Sequence, residues 1–176
     1  MGRYQEAIGF LRQALKLKPD YAEAHYDLGL AYLNLNQYRE AIECYEAAIH
    51  CKPDFVAAQN DLGVTYANWG KHELAIKAFR QALLLRPNYA EAYNNLGTVE
   101  FEKGHFNQAI ESFTRAIDCK PNLVQARFNL GVVLLRVNNR GGAIAQYQAL
   151  SGLSEVFAAK LYGGIYRGKV LVVEKR

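Results

Sequence analysis

The sequence predicts an all-α fold, a solenoid of antiparallel helix pairs. The first observation is a strict period: the four prolines of the sequence stand at positions 19, 53, 87 and 121, always 34 residues apart. The second is a Leu-Gly step that follows each proline at the same distance, and the third is a set of small residues that recurs in the second half of each period. Self-similarity at such a period indicates stacked supersecondary units that bury a common core.

Each proline marks a predicted junction between two helices. A basic residue precedes it and Asp or Asn follows it, in Lys18-Pro19-Asp20, Lys52-Pro53-Asp54, Arg86-Pro87-Asn88 and Lys120-Pro121-Asn122. Proline disfavours the α conformation of the residue before it and so ends one helix. Asp and Asn are good N-caps, so we expect the residue after each proline to cap the next helix.

Small and large side chains alternate between the junctions in a way that predicts close helix packing. Gly29, Ala41 and Ala48 are small enough to let the two helices of a pair approach, and we expect Leu28, Tyr32 and Tyr45, with their equivalents in later repeats, to fill the space between pairs. A glycine inside a helix costs about 1 kcal/mol relative to alanine, so its recurrence calls for a packing reason. Glu100 replaces the tyrosine of this pattern, and its carboxylate must reach solvent or find a hydrogen-bond donor.

These columns resemble the tetratricopeptide repeat. The match runs from residue 1 to about 157 and is clearest in His25-x-x-Leu28-Gly29-x-x-Tyr32, followed by Ala41, Tyr45, Ala48 and Pro53. The resemblance implies a right-handed superhelical solenoid in which the first helix of each pair lines the concave face and the second lies on the convex face. It also implies a scaffold for protein-protein interaction rather than an enzyme.

The period also sets the predicted domain limits. They are the second helix of a truncated repeat at 1–21, full repeats at 22–55, 56–89, 90–123 and 124–157, and a capping helix with a tail at 155–176. Because the first helix of the truncated repeat is missing, we expect either a fragment of a longer array or self-association through this open end. Ser154 can cap the last helix, which Gly163-Gly164 should weaken. The apolar run Val170-Leu171-Val172-Val173 could extend that helix, form a strand or contact a neighbour.

Composition and motifs argue against several function classes. No apolar stretch reaches the roughly 18 residues of a membrane span, so no membrane partner is expected. Three cysteines without C-x-x-C spacing suggest free thiols in a reducing compartment, hence a cytoplasmic location. The histidines lack ligand partners at helical spacing, and no nucleophile with an oriented base is visible. We therefore expect no metal, no cofactor and no catalytic residue.

The charge distribution predicts the kind of partner. The net charge is +4, yet the segments 20–34, 54–68 and 88–102, which contain the first helices of three repeats, hold eight acidic residues and no Lys or Arg. An acidic inner wall repels nucleic acid and attracts a protein or peptide with a basic segment. In the fourth repeat Arg127 and Arg136 reverse the sign, so we expect the basic preference to fade there.

One column of the first helices has the chemistry of a peptide-binding surface. It consists of Asp27, Asp61, Asn95 and Asn129, called here the Asn/Asp column. It resembles the asparagine ladder in the repeat domain of O-linked N-acetylglucosamine transferase, which implies that its side chains hold the backbone of an extended peptide. An Asn amide offers one donor and one acceptor group, whereas an Asp carboxylate only accepts. The simpler interpretation is that these side chains bond to neighbouring helices or water.

The predicted peptide-binding groove combines this column with nearby polar and apolar residues of the first helices. Its members are Glu23, Tyr26, Asp27, Leu30, Asn60, Asp61, Val64, Glu91, Asn94, Asn95, Thr98, Phe101, Phe128, Asn129, Val132 and Arg136. Two alternatives to a binding module stay open at this point. The chain could be a self-assembling structural scaffold or the regulatory repeat domain of a larger enzyme.

Overall fold

The computed structural model describes residues 2–167 and 171–174, and within them it contains ten α-helices and no strand. The predicted all-α class is thereby confirmed. The helices are α1 (Gly2–Leu17), α2 (Ala22–Asn34), α3 (Tyr38–Cys51), α4 (Val56–Asn68), α5 (His72–Leu85), α6 (Ala90–Glu102), α7 (Phe106–Cys119), α8 (Val124–Arg136), α9 (Arg140–Ser151) and α10 (Glu155–Arg167).

The chain divides into two compact units, residues 1–87 with α1 to α5 and residues 88–176 with α6 to α10. Each unit has its own buried core. The first is centred on Tyr32 and Tyr45, and the second on Phe113 and Phe128. The repeat limits given above stay a prediction.

The turns inside the helix pairs contain a periodic feature that the sequence analysis missed. Three-residue turns join α2 to α3, α4 to α5, α6 to α7 and α8 to α9, which makes the partners of each pair antiparallel. The middle residue of every turn has a positive φ, between 57° and 77°, at Asn36, Gly70, Gly104 and Asn138. Gly and Asn adopt this left-handed conformation most readily, so their recurrence every 34 residues was a readable signal.

The predicted N-caps at the proline junctions are wrong by one residue. The helices start after Tyr21, Phe55, Tyr89 and Leu123, and none of these cap residues makes a side-chain cap hydrogen bond. Proline and the following Asp or Asn instead form the centre of a turn, which the N–H of Phe55 closes by donating to the carbonyl of Lys52 at 3.0 Å. Pro and Asp suit a turn because proline presets φ at its second position.

Each glycine of the Leu-Gly step lies under a large side chain. A β-carbon on Gly29 would come within 2.7 Å of the Tyr45 ring, and one on Gly63 would come equally close to Phe79. The Tyr45 ring therefore fills space within its own pair, and its core cluster also includes Leu62 and Ala78 of the following pair. In the last repeat Gly131 is covered by Leu161 of α10, because α10 packs on α8.

The Glu100 carboxylate is buried and finds the donor that the sequence analysis required. Ser112 donates its hydroxyl to Oε2 of Glu100 at 2.6 Å. A buried carboxylate that accepts hydrogen bonds avoids the cost of an unpaired charge. Its place in α6 is thus compatible with a close-packed second unit.

The C-terminal part of the second unit consists of helix α10 and a short segment after it. Helix α10 continues through Gly163 and Gly164 to Arg167. The C-terminal segment, defined as residues 171–174, is neither helix nor strand, and it packs on the core of its own unit. A β-carbon on Gly164 would collide with Leu171, so this glycine provides the room for that contact. Val170 lies outside the described residues.

Candidate functional site

In the first unit, Asp61 is the centre of a buried polar cluster. Tyr26 of α2 donates its hydroxyl to Oδ2 of Asp61 at 2.8 Å, and Asn60 donates Nδ2 to Oδ1 at 2.9 Å. The Tyr26 ring also packs against Phe55, with ring centroids 4.9 Å apart. Both oxygens of Asp61 therefore accept hydrogen bonds, one from Tyr26 on the neighbouring helix α2 and one from the adjacent residue of its own helix α4.

Two acidic residues at the start of the first helices form equivalent ion pairs, one in each unit. Lys52 lies 3.4 Å from Glu23 in the first unit, and Lys120 lies 2.9 Å from Glu91 in the second. A backbone hydrogen bond at Glu23 and the hydrogen bond from Lys52 hold the pKa of the Glu23 carboxyl below its ordinary value. The basic residue before the proline thus neutralises part of the predicted acidic wall.

Asp27 is the exposed member of the Asn/Asp column in the first unit. It has no hydrogen bond or ion pair with any described residue, whereas Asp61 is buried. Leu30 and Val64 are half-buried on the same two helices, α2 and α4. These three residues offer a ligand one carboxylate and two partly accessible apolar side chains.

In the second unit, Asn129 of α8 holds a segment of backbone. Its Oδ1 accepts the N–H of Glu174 at 2.6 Å, and its Nδ2 donates to the carbonyl of Glu174 at 2.9 Å. Nδ2 also donates to Oδ1 of Asn94 at 3.1 Å, which fixes the amide from the neighbouring helix α6. The amide is fully buried, and it bonds to both backbone groups, the N–H and the carbonyl, of one residue.

Side-chain contacts hold the same C-terminal segment. Lys160 of α10 lies 2.7 Å from the Glu174 carboxylate, and its ammonium lies 5.0 Å from the centroid of the Phe157 ring. Val173 is buried in the core of the second unit, and the partly buried Leu171 packs against the same core. Neither these residues nor Lys160 were among the predicted site residues, because Glu174 lies 45 positions from Asn129 in the sequence.

A cavity of about 500 Å³ lies next to the C-terminal segment. Its walls include Phe101, Phe106, Arg136 and Leu171. The two phenylalanine rings stack in a tilted arrangement with centroids 5.6 Å apart. The predicted groove residues Phe101 and Arg136 thus come together here, beside the segment that Asn129 holds.

The remaining predicted groove residues of the second unit are buried. Asn95 and Thr98 lie in α6, where Thr98 donates to the carbonyl of Asn94 at 3.0 Å. Phe128 and Val132 belong to the core of the unit, and Phe128 meets Phe157 edge to face at 5.2 Å.

Residues 2–167 and 171–174 contain no group of three or more His, Cys, Asp or Glu side chains placed to hold a metal ion. None of the described helices combines the length and apolar character needed to cross a lipid bilayer.

Sequence comparison with protein families decides the family. Three profiles described as tetratricopeptide repeat match residues 1–62, 54–122 and 94–154, and together they cover the helix pairs described above. The chain is a tetratricopeptide-repeat protein. Proteins of this family are in general protein-protein interaction modules without catalytic activity. In a separate comparison with curated proteins, none is significantly similar to this chain.

Solved tetratricopeptide-repeat structures share the fold. The crystal structure of MamA matches with a TM-score of 0.81 and 26% identity over 90% of this chain and 92% of that one. PilF of Pseudomonas aeruginosa matches with a TM-score of 0.79 and 21% identity over 96% and 86%. YrrB, described as a protein with an unusual peptide-binding site, matches with a TM-score of 0.72 and 23% identity over 90% of this chain and 83% of that one.

Proposed function

We propose that this chain binds an extended peptide segment of a partner protein on the first helices of its repeats. The observation that supports this most directly is Asn129, whose amide accepts the N–H and donates to the carbonyl of Glu174. This is the hydrogen-bonding pattern that an asparagine ladder offers to a peptide backbone. The resemblance to the repeat domain of O-linked N-acetylglucosamine transferase, and the peptide-binding site ascribed to YrrB, support the same role.

The proposal gives the two units different chemistry. In the first unit the exposed Asp27 carboxylate lies on α2 near half-buried apolar residues, which suits a basic segment of the partner. In the second unit the members of the column are neutral amides, which favour neither a positive nor a negative charge on the partner. The chain carries out no catalysis in this role, and serving as the regulatory part of a larger enzyme is compatible with it.

The first unit gives a direct test of the basic preference. We expect Asp27→Asn to weaken binding of a Lys-rich extended peptide roughly two- to fivefold, the usual size of one exposed charge pair. Asp54→Asn is the matched control, because it removes the same charge from an exposed position of the same unit outside the column. Fluorescence anisotropy of labelled basic and acidic peptides, at low and raised salt, measures the effect.

Equal loss of affinity in both variants would show that only net charge matters, and would contradict a site at Asp27. Equal binding of the basic and acidic peptides to the unmodified chain would contradict the basic preference. If no peptide of any composition binds, the proposed function itself is wrong.

A structural scaffold is the second candidate, and one observation favours it. Helix α1 exposes large apolar side chains, with Phe10 at 71% and Leu17 at 90% exposure. Exposed apolar surface on a terminal repeat can mediate contacts between copies. Light scattering across a concentration series tests this directly, since a strict monomer at high concentration would contradict self-assembly.

Location and excluded partners belong to the same proposal. A cytoplasmic, reducing environment suits the free thiols Cys44, Cys51 and Cys119. Burial raises the pKa of the Cys44 thiol to about 11, which keeps it protonated and unreactive. We expect neither nucleic acid nor membrane as a partner.

A further inference from the structure

The C-terminal segment alternates between buried and exposed side chains. Leu171 is half-buried against Gly164, Val172 is 71% exposed, and Val173 is 9% exposed within the core. Alternation with a period of two is the pattern of an extended chain that lies with one face on a surface. The segment therefore contacts the second unit as a bound extended peptide would.

We infer that residues 171–174 occupy, within the same chain, a peptide site of the second unit. The site takes from a partner an extended segment with apolar side chains at its first and third positions and a carboxylate at its fourth. This inference rests on the proposed function and adds the class of ligand. It also makes the chain's own C-terminal segment a competitor of that ligand.

The acidic requirement comes from Lys160. Its ammonium pairs with the Glu174 carboxylate at 2.7 Å and lies near the rings of both Phe157 and Phe128. A ligand with a lysine at the fourth position would bring two positive charges together at this point. The second unit thus prefers the opposite charge from that proposed for the first unit at Asp27.

The first position has room for more than a leucine. The cavity of about 500 Å³ beside Leu171 is lined by Phe101 and Phe106 among others, so it can accept a larger apolar side chain. An aromatic residue would bury additional apolar area there and stack on the existing rings. A partner with Phe at this position should therefore bind more tightly than a copy of the C-terminal segment.

Competition by the C-terminal segment should be strong because it is covalently attached. Only residues 168–170 separate it in sequence from the end of α10 at Arg167. Short linkers give effective concentrations in the millimolar range, so a free peptide with the same contacts must exceed that concentration to displace it. Release of the segment should accordingly raise the apparent affinity for a free peptide.

The test uses the full chain with a substitution that releases the segment. We expect Val173→Asp to expel the segment, since a carboxylate is costly at this buried position. Labelled Val-Leu-Val-Val-Glu, which copies residues 170–174, should then bind at least about tenfold more tightly than it binds the unmodified chain. Val172→Asp is the matched control, because it adds the same charge at an exposed position and should leave the affinity unchanged.

Two altered peptides and one further substitution in the Val173→Asp chain define the site. Relative to Val-Leu-Val-Val-Glu, a peptide with Phe in place of Leu should bind more tightly. A peptide with Lys in place of Glu should bind at least about fivefold more weakly, because its lysine and Lys160 repel each other. Adding Asn129→Asp should abolish binding of all of them, because the carboxylate cannot donate to the peptide carbonyl. Circular dichroism confirms that the variants keep their helices.

A second measurement needs no variant. The amide of Glu174 in the unmodified chain should be protected from hydrogen exchange and should lose that protection when the Phe-containing peptide is added in excess. An unprotected amide, or protection that excess peptide leaves unchanged together with no binding to the Val173→Asp chain, would overturn the inference. In that case binding of a basic peptide at Asp27 would still leave the proposed function in place.

Discussion

We expect the Gly63→Leu variant to lose about 3 kcal/mol of unfolding free energy. Even a β-carbon at this position would come within 2.7 Å of the Phe79 ring, and Phe79 is almost fully buried. The ring cannot rotate away without disturbing the packing of α4 on α5. Overpacking of a close-packed interior typically costs 1–3 kcal/mol, and a whole leucine side chain belongs at the upper end of that range.

Gly9→Leu is the matched control for this prediction. Gly9 lies in α1, and apart from its chain neighbours and the backbone of its own helix no atom lies within 4 Å of the position of its β-carbon, so the same substitution meets no obstacle there. Because leucine is a better helix former than glycine, this variant should be unchanged or gain up to about 1 kcal/mol. Chemical denaturation followed by circular dichroism measures both. A similar change in the two variants would contradict the close approach of α4 and α5.

The Phe113→Ala variant should lose about 3–5 kcal/mol of unfolding free energy, the largest effect that we expect from a single substitution in this chain. Phe113 is fully buried in the second unit and covers Gly97, whose β-carbon would come within 2.9 Å of the ring. Removal of the ring leaves a cavity that the neighbouring helices cannot close completely. Phe10→Ala is the control, because Phe10 is exposed and its loss should cost less than about 0.5 kcal/mol.

A double variant tests whether the glycine and the phenylalanine share one space. Combining Gly97→Leu with Phe113→Ala places a side chain where the ring was removed. The loss should then be smaller than the sum of the two single losses, with a coupling of about 1–3 kcal/mol. Strict additivity in denaturation experiments would mean that the two positions are not in contact.

Most of the fold was predictable because its signals are local or strictly periodic. Proline restricts its own φ and the conformation of the residue before it, so helix ends at the junctions follow from the sequence alone. The error at the N-caps has a local cause as well. Asp20 and its equivalents can serve a cap or a turn, and the turn closed by the residue after them prevails.

The candidate site was predictable only in part. The Asn/Asp column was visible from its spacing, but the partners of its members were not. Asp61 is engaged by Tyr26 on another helix, and Glu23 by Lys52, 29 residues further along. Because of these contacts, part of the predicted acidic wall is hydrogen-bonded or paired with a lysine. In the first unit, Asp27 is the exposed member of the column.

The sequence by itself determined the helix pairs, their family and the general role of the protein, because a 34-residue period repeats the same short-range restrictions four times. The tertiary structure alone decided what Asn129 binds. A side-chain amide has no preference among the backbone groups that could reach it. The placement of residues 171–174 beside α8, through the packing of Leu171 on Gly164 and the pairing of Glu174 with Lys160, selects its partner.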